Sequence, residues 1–206
     1  KNIFEGHDDH GHKKDKHDDH GHKKDKHDDH GHEGHAHGEH DPHIWLDPMN
    51  AKVIIKEITN QLVKLDSANS AKYKANSKKA IADIDALTKS IKKDLNKNSR
   101  VVVFHDAYQY FENEFKLNAA GSIALNPEIS PTPKRISEIK SKIVNDNVKC
   151  VFKEPQFPSQ IVETIIMDTQ AKEGVLDPLG SELEPGKELY IKLIKNISKN
   201  LKQCLS

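Results

Sequence analysis

Val101-Val102-Val103-Phe104-His105-Asp106 is the stretch on which the fold turns. A short run of large apolar residues flanked by polar ones reads as a buried strand, and Asp106 to Asn113 after it reads as a helix. The same texture continues downstream. Leu117 to Gly121 is a second strand, and Lys134 to Asn145, introduced by Thr132-Pro133, is a second helix. Cys150-Val151-Phe152 is a third strand followed by a helix from Ser159 to Ala171, and Gly174-Val175-Leu176 is a short fourth strand. Lys187 to Leu201 closes the series as a helix. Strands alternating with helices of this length predict an α/β fold with a mainly parallel sheet flanked by helices.

Ligands of an open α/β sheet bind beyond the carboxyl ends of its strands. Three strands run at once into a residue able to bind metal: the first into His105-Asp106, the third into Glu154-Pro155, the fourth into Asp177-Pro178. All three should face one edge of the sheet. His105 is the sole histidine after residue 43 and its strand-end position marks it as a candidate ligand. Asp177 is a candidate for direct or water-bridged ligation, although a carboxylate before proline is also an ordinary turn residue. Glu154 at its strand end ligates, caps or salt-bridges, and Asp106 orients the His105 ring or caps the following helix.

Upstream of the sheet, Ile81, Ile84, Leu87, Ile91 and Leu95 mark one stripe of a long, mostly polar helix ending in Lys92, Lys93 and Lys97, where cations suit the helix dipole. A helix of about 30 residues spans roughly 45 Å, more than one small core needs. It reads as a strut joining two lobes, or else as a partner for a coiled coil. Before it, Ile54, Ile58, Leu62 and Leu65 recur at helical spacing behind Asp47-Pro48, an N-cap followed by a first-turn proline. That helix is entered through Asp41-Pro42-His43-Ile44-Trp45-Leu46, where a polar histidine-loaded run meets the folding part of the chain. His43 is accordingly the second candidate ligand. Trp45, Tyr108, Tyr110 and Phe111 read as packing residues that also exclude water from a metal.

The run ahead of His43 is repetitive. HDDHGHKKDK occurs at 7–16 and again at 17–26, and HDDHGH begins a third copy at 27–32. With Ile3 and Phe4 as its only large apolar residues, the segment 1–40 cannot offset the entropy of ordering its backbone and is expected to stay disordered. Its imidazoles, His7, His10, His12, His17, His20, His22, His27, His30, His32, His35, His37 and His40, each flanked closely by carboxylates or further histidines, form an auxiliary metal-collecting supply. Protonation competes with metal there, so occupancy should fall as pH drops through about 6.5.

The 206 residues carry 32 Lys plus Arg against 32 Asp plus Glu, so no strong field draws the chain to nucleic acid or an anionic membrane. No run of about 18 apolar residues exists to span a bilayer. The chain starts at Lys1, which fits either removal of a leader or the C-terminal part of a longer protein. Cys150 and Cys204 lack the close spacing of a zinc or redox motif. They form a disulfide, implying an oxidising compartment, or remain two free thiols.

Asp41-Pro42-His43-Ile44-Trp45-Leu46-Asp47-Pro48, Val103-Phe104-His105-Asp106-Ala107-Tyr108-Gln109-Tyr110-Phe111 and Asn126-Pro127-Glu128-Ile129-Ser130-Pro131 together resemble the periplasmic zinc-binding component of bacterial zinc ABC importers, the ZnuA family of metal-binding solute-binding proteins. Cys150-Val151-Phe152-Lys153-Glu154-Pro155-Gln156-Phe157 and Leu176-Asp177-Pro178-Leu179-Gly180 continue the match in order. The resemblance implies a two-lobed periplasmic binder of Zn2+, its lobes joined by a long helix, with His43 and His105 among the zinc ligands and Asp177 matching an aspartate ligand of manganese and zinc relatives. It also implies a Cys150–Cys204 disulfide, a mobile zinc-gathering loop in the His-rich tract, a membrane permease as partner and a monomeric state. The family's N-terminal lobe would precede the tract, so the chain is expected to be the C-terminal part of the fold. The division that follows is 1–40 His-rich tract, 41–65 remnant of the N-terminal lobe, 66–99 connecting helix and 100–206 C-terminal α/β lobe. No enzyme is expected: the folded part has no H-E-x-x-H and no general base beside a histidine pair. The alternatives are a metal buffer or chaperone acting through the tract alone, and a manganese-binding relative.

Overall fold

A computed structural model of the chain describes residues 41–95, 100–124 and 126–206. The His-rich tract and its twelve histidines lie outside the described residues, as does 96–99 after the long helix.

Helix α1 (Pro48–Leu65) starts as the Asp47-Pro48 pair dictates: the Asp47 carboxylate accepts from the Met49 amide at 2.7 Å, and Pro48 occupies the first turn, where no amide is needed. A 3₁₀ turn (Ser67–Asn69) leads into α2 (Ser70–Asp94). At 25 residues this helix lies within the 66–99 expected for it; polar helix formers carry it back from the apolar stripe toward the turn, where Asp66 accepts from Asn69 and Tyr73 across the junction. The two helices pack together, with Lys52 paired to Asp85. Only the distal part of α2 is anchored in the main core, through Ile91, while Ile58, Leu62 and Leu65 of α1 are exposed.

Four parallel strands follow: β1 (Arg100–His105), β2 (Asn118–Ala124), β3 (Cys150–Lys153) and β4 (Lys172–Val175), in the spatial order β2-β1-β3-β4. Helices α3 (Gln109–Phe115), α4 (Pro133–Asn145) and α5 (Gln160–Ile166) connect the strands, α6 (Leu189–Leu205) follows β4, and together they cover the sheet. Alternation along β1 separates two cores. Val101 and Val103 join Phe111, Phe152, Leu193 and Ile197 on one face; Val102 and Phe104 join Ile123, Ile139, Val162 and Ile165 on the other.

Several boundaries differ from the sequence expectation. The helix expected from Asp106 starts at Gln109, because Ala107 closes a tight turn onto the His105 carbonyl at 2.9 Å. The second strand is shifted from 117–121 to Asn118–Ala124. The fourth strand begins at Lys172 rather than Gly174, the helix expected over 159–171 is confined to Gln160–Ile166, and the last helix runs on to Leu205. Gly174 lies within β4, where a Cβ would overlap the Phe152 ring of the neighbouring strand.

Cys150 and Cys204 are disulfide-bonded, tying the first residue of β3 to the last turn of α6. From β1 the chain passes to β2 on one side and then crosses to β3 on the other. The order therefore reverses between β1 and β3, and their carboxyl ends flank the crevice where open α/β sheets hold ligands. His105 is the last residue of β1, and Glu154 is the first after β3.

Candidate metal centre

Two imidazoles meet at this crevice. His105 Nε2 lies 3.4 Å from His43 Nε2, although the residues are 62 positions apart in sequence. His105 is 9% exposed, walled by the edge of Phe157, whose ring stacks on Phe104. The Trp45 ring stands edge-on to His43 at 5.3 Å between centroids.

Each ring is held from behind by a buried carboxylate. His105 Nδ1 is 2.8 Å from Glu154 Oε1, and His43 Nδ1 is 2.7 Å from Asp41 Oδ1, which also accepts the His43 amide at 2.9 Å. A carboxylate offers only acceptors, so in the neutral ring the proton sits on Nδ1 and Nε2 keeps its lone pair. Both lone pairs then belong to the nitrogens that face one another. The Tyr108 hydroxyl lies 3.5 Å from the same Glu154 oxygen; burial, and next the Glu154 charge, push its phenol well above its ordinary pKa and keep it a donor.

The loop bearing His43 is fastened to the sheet domain by three long-range bonds. Tyr110 donates to the Asp41 carbonyl (3.1 Å), the Trp45 indole to the Pro178 carbonyl (2.9 Å), and Tyr190 of α6 to the Trp45 carbonyl (3.0 Å). The aromatic residues thus do more than fill the core: they set the loop's height above the strand ends.

The geometry suits one bound ion. Zinc–imidazole bonds of about 2.0–2.1 Å at a tetrahedral angle place two ligand nitrogens about 3.3 Å apart, close to the 3.4 Å found. Among the described residues no third His, Cys, Asp or Glu joins the pair in a cluster. Asp177 serves its own loop: Oδ1 accepts from Gln156 Nε2 and the amides of Leu179 and Gly180, and Oδ2 from the amide and hydroxyl of Ser181. Burial raises the Asp177 pKa, but these bonds outweigh it and hold the carboxyl below the usual range.

The partner of His105 is Glu154, 49 residues away, and Asp106 instead accepts from Gln109 Nε2 at 2.8 Å. Sequence reasoning did not single out Asp41. Its spacing of two from His43, in Asp-Pro-His, is a local signal that an Asx-type bond to the amide would reveal.

The family model described as "ZnuA: Zinc-uptake complex component A periplasmic" matches residues 2–204. The "High-affinity zinc uptake system protein ZnuA" of Brucella suis biovar 1 is 46% identical over 168 residues, which cover 81% of this chain and 50% of that protein. The chain thus spans about half the length of the curated relatives it matches. Among solved structures, one described as the crystal structure of ZnuA superposes with a TM-score of 0.72 at 25% identity, covering 83% of this chain and 62% of its own. The solute-binding protein FpvC of Pseudomonas aeruginosa, in complex with Mn2+, gives 0.71 at 26% identity, covering 82% and 64%.

Proposed function

This chain belongs to the ZnuA family of periplasmic zinc-uptake components, and from that premise we propose that it captures Zn2+ outside the cytoplasm for delivery to the membrane permease of an ABC importer. His43 and His105 are the ligands that hold the ion, and the chain carries out no chemistry on it. The observation that carries this reading is the convergence of the two Nε2 atoms at 3.4 Å, each ring backed by a carboxylate on Nδ1. Two imidazoles leave a four-coordinate ion two positions short. Water, or a further lobe corresponding to the part of the relatives that this chain does not match, supplies the rest. The upstream histidines, from His7 to His40, act as a collecting supply in addition to the main site, and Asp177 organises the loop whose Pro178 carbonyl accepts from Trp45.

The test compares His105→Ala with deletion of 7–32 in the full-length protein, titrating zinc by competition with a chromophoric chelator. His105→Ala is expected to abolish the tight component and leave the weak ones; the deletion is expected to do the reverse. A deletion that removes the tight component would transfer the specific site to the tract, and the protein would then act as a metal buffer.

A further inference from the structure

We infer that Asp41 and Glu154 are positioning residues whose paired negative charges make the His43–His105 site select a divalent over a monovalent cation. The inference rests on the reading of those two histidines as the ligand pair.

Three observations support it. First, each carboxylate accepts from Nδ1 of its own histidine, which fixes ring rotation and tautomer together. Second, the two Nε2 lone pairs oppose one another at 3.4 Å, an arrangement that favours a cation between them. Third, the charges are buried and lightly compensated. Asp41 is 5% and Glu154 2% exposed, and among the described residues the basic side chains that sit against them are the two histidines themselves, neutral in this arrangement. Among the described residues, nothing donates a hydrogen bond to Asp41 Oδ2 or Glu154 Oε2. Two carboxylates, two neutral imidazoles and a dication sum to zero in a site poorly screened by water, whereas a monovalent ion leaves one negative charge uncompensated. At equal distance the dication also gains twice the Coulomb attraction. The imidazoles supply the bonds, and the residues behind them set the valence.

The chain contains one tryptophan, Trp45, whose ring touches the site, so its emission reports this site against the background of the tract. The experiment titrates the full chain with Co2+ and separately with Ag+, following Trp45 fluorescence, for the unaltered protein, Glu154→Gln, Asp41→Asn and the double variant. Glutamine and asparagine keep an acceptor oxygen and remove the charge, and thermal unfolding checks that each variant is folded. Each single substitution is expected to weaken Co2+ binding by about 10- to 100-fold and to leave Ag+ binding much less changed, so that the Co2+/Ag+ affinity ratio falls. Equal losses for both ions, or no loss in either, would overturn the assignment. His105→Ala separates the two levels of argument. If it abolishes the Trp45 response while Glu154→Gln and Asp41→Asn bind normally, the charge role alone fails; if the response survives it, the ligand pair fails and the inference with it.

Discussion

The Tyr190 hydroxyl donates to the Trp45 carbonyl at 3.0 Å across 145 positions of sequence, so the final helix holds down the loop that presents His43. Tyr190→Phe deletes this bond while keeping the ring. The expected loss is about 1 kcal/mol of stability, as for one hydrogen bond. If the loop loses the same amount of preorganisation, cobalt affinity falls roughly fivefold. Urea unfolding and Trp45-monitored titration measure the two effects. Unchanged values in both would mean that Tyr190 does not restrain the loop.

Glu112 in α3 predicts a pH dependence. Burial first, and then the charges of Asp106 and Asp41, raise its pKa from 4.5 to about 7, against a hydrogen bond from the Ala119 amide that lowers it. A carboxyl that holds its proton more tightly folded than unfolded costs nothing below about 4.5; its penalty grows as pH rises to about 7 and is complete above that. Glu112→Gln should therefore be more stable than the unaltered protein at pH 8, by on the order of 3 kcal/mol, with the difference vanishing toward pH 4.5. Denaturant unfolding at pH 4.5, 6 and 8 checks the sign. A variant equally stabilised at all three would exclude titration as the cause.

Gly174 has no room for a side chain, because a Cβ would enter the Phe152 ring, which is fully buried in the core. Gly174→Ala is expected to cost about 1–3 kcal/mol, as overpacking does. Adding Phe152→Leu should recover part of that loss, a non-additivity measurable by a double-mutant cycle. Strict additivity would show that the overlap is relieved elsewhere.

The architecture was legible where one residue type decides a local outcome. Asp47-Pro48 starts α1 as expected, and the apolar runs at 101–104 and 150–152 lie in the strands β1 and β3. It was less legible where backbone context decides. Strand β2 carries Ala119, Ala120, Gly121 and Ser122, small residues that signal a strand near 117–121 without fixing its ends; its register and its extension to Ala124 come from pairing with β1. His105 was marked by its place at a strand end, and the approach of His43 followed from the family resemblance. The carboxylates behind them were harder to see. Glu154 meets His105 only because β3 lies beside β1, a neighbour relation set by a crossover that no local pattern encodes.

The disulfide lies at the far end of the sheet from the crevice: Cys150 opens β3 and Glu154 follows its close, roughly 13 Å away at about 3.3 Å per residue. The fastening and the proposed ligand pair therefore lie at opposite ends of one strand. Reduction of this bridge is expected to lower the stability of the fold before it disturbs the pairing of His105 with Glu154, so durability and site geometry are tuned by separate substitutions within the five residues 150–154.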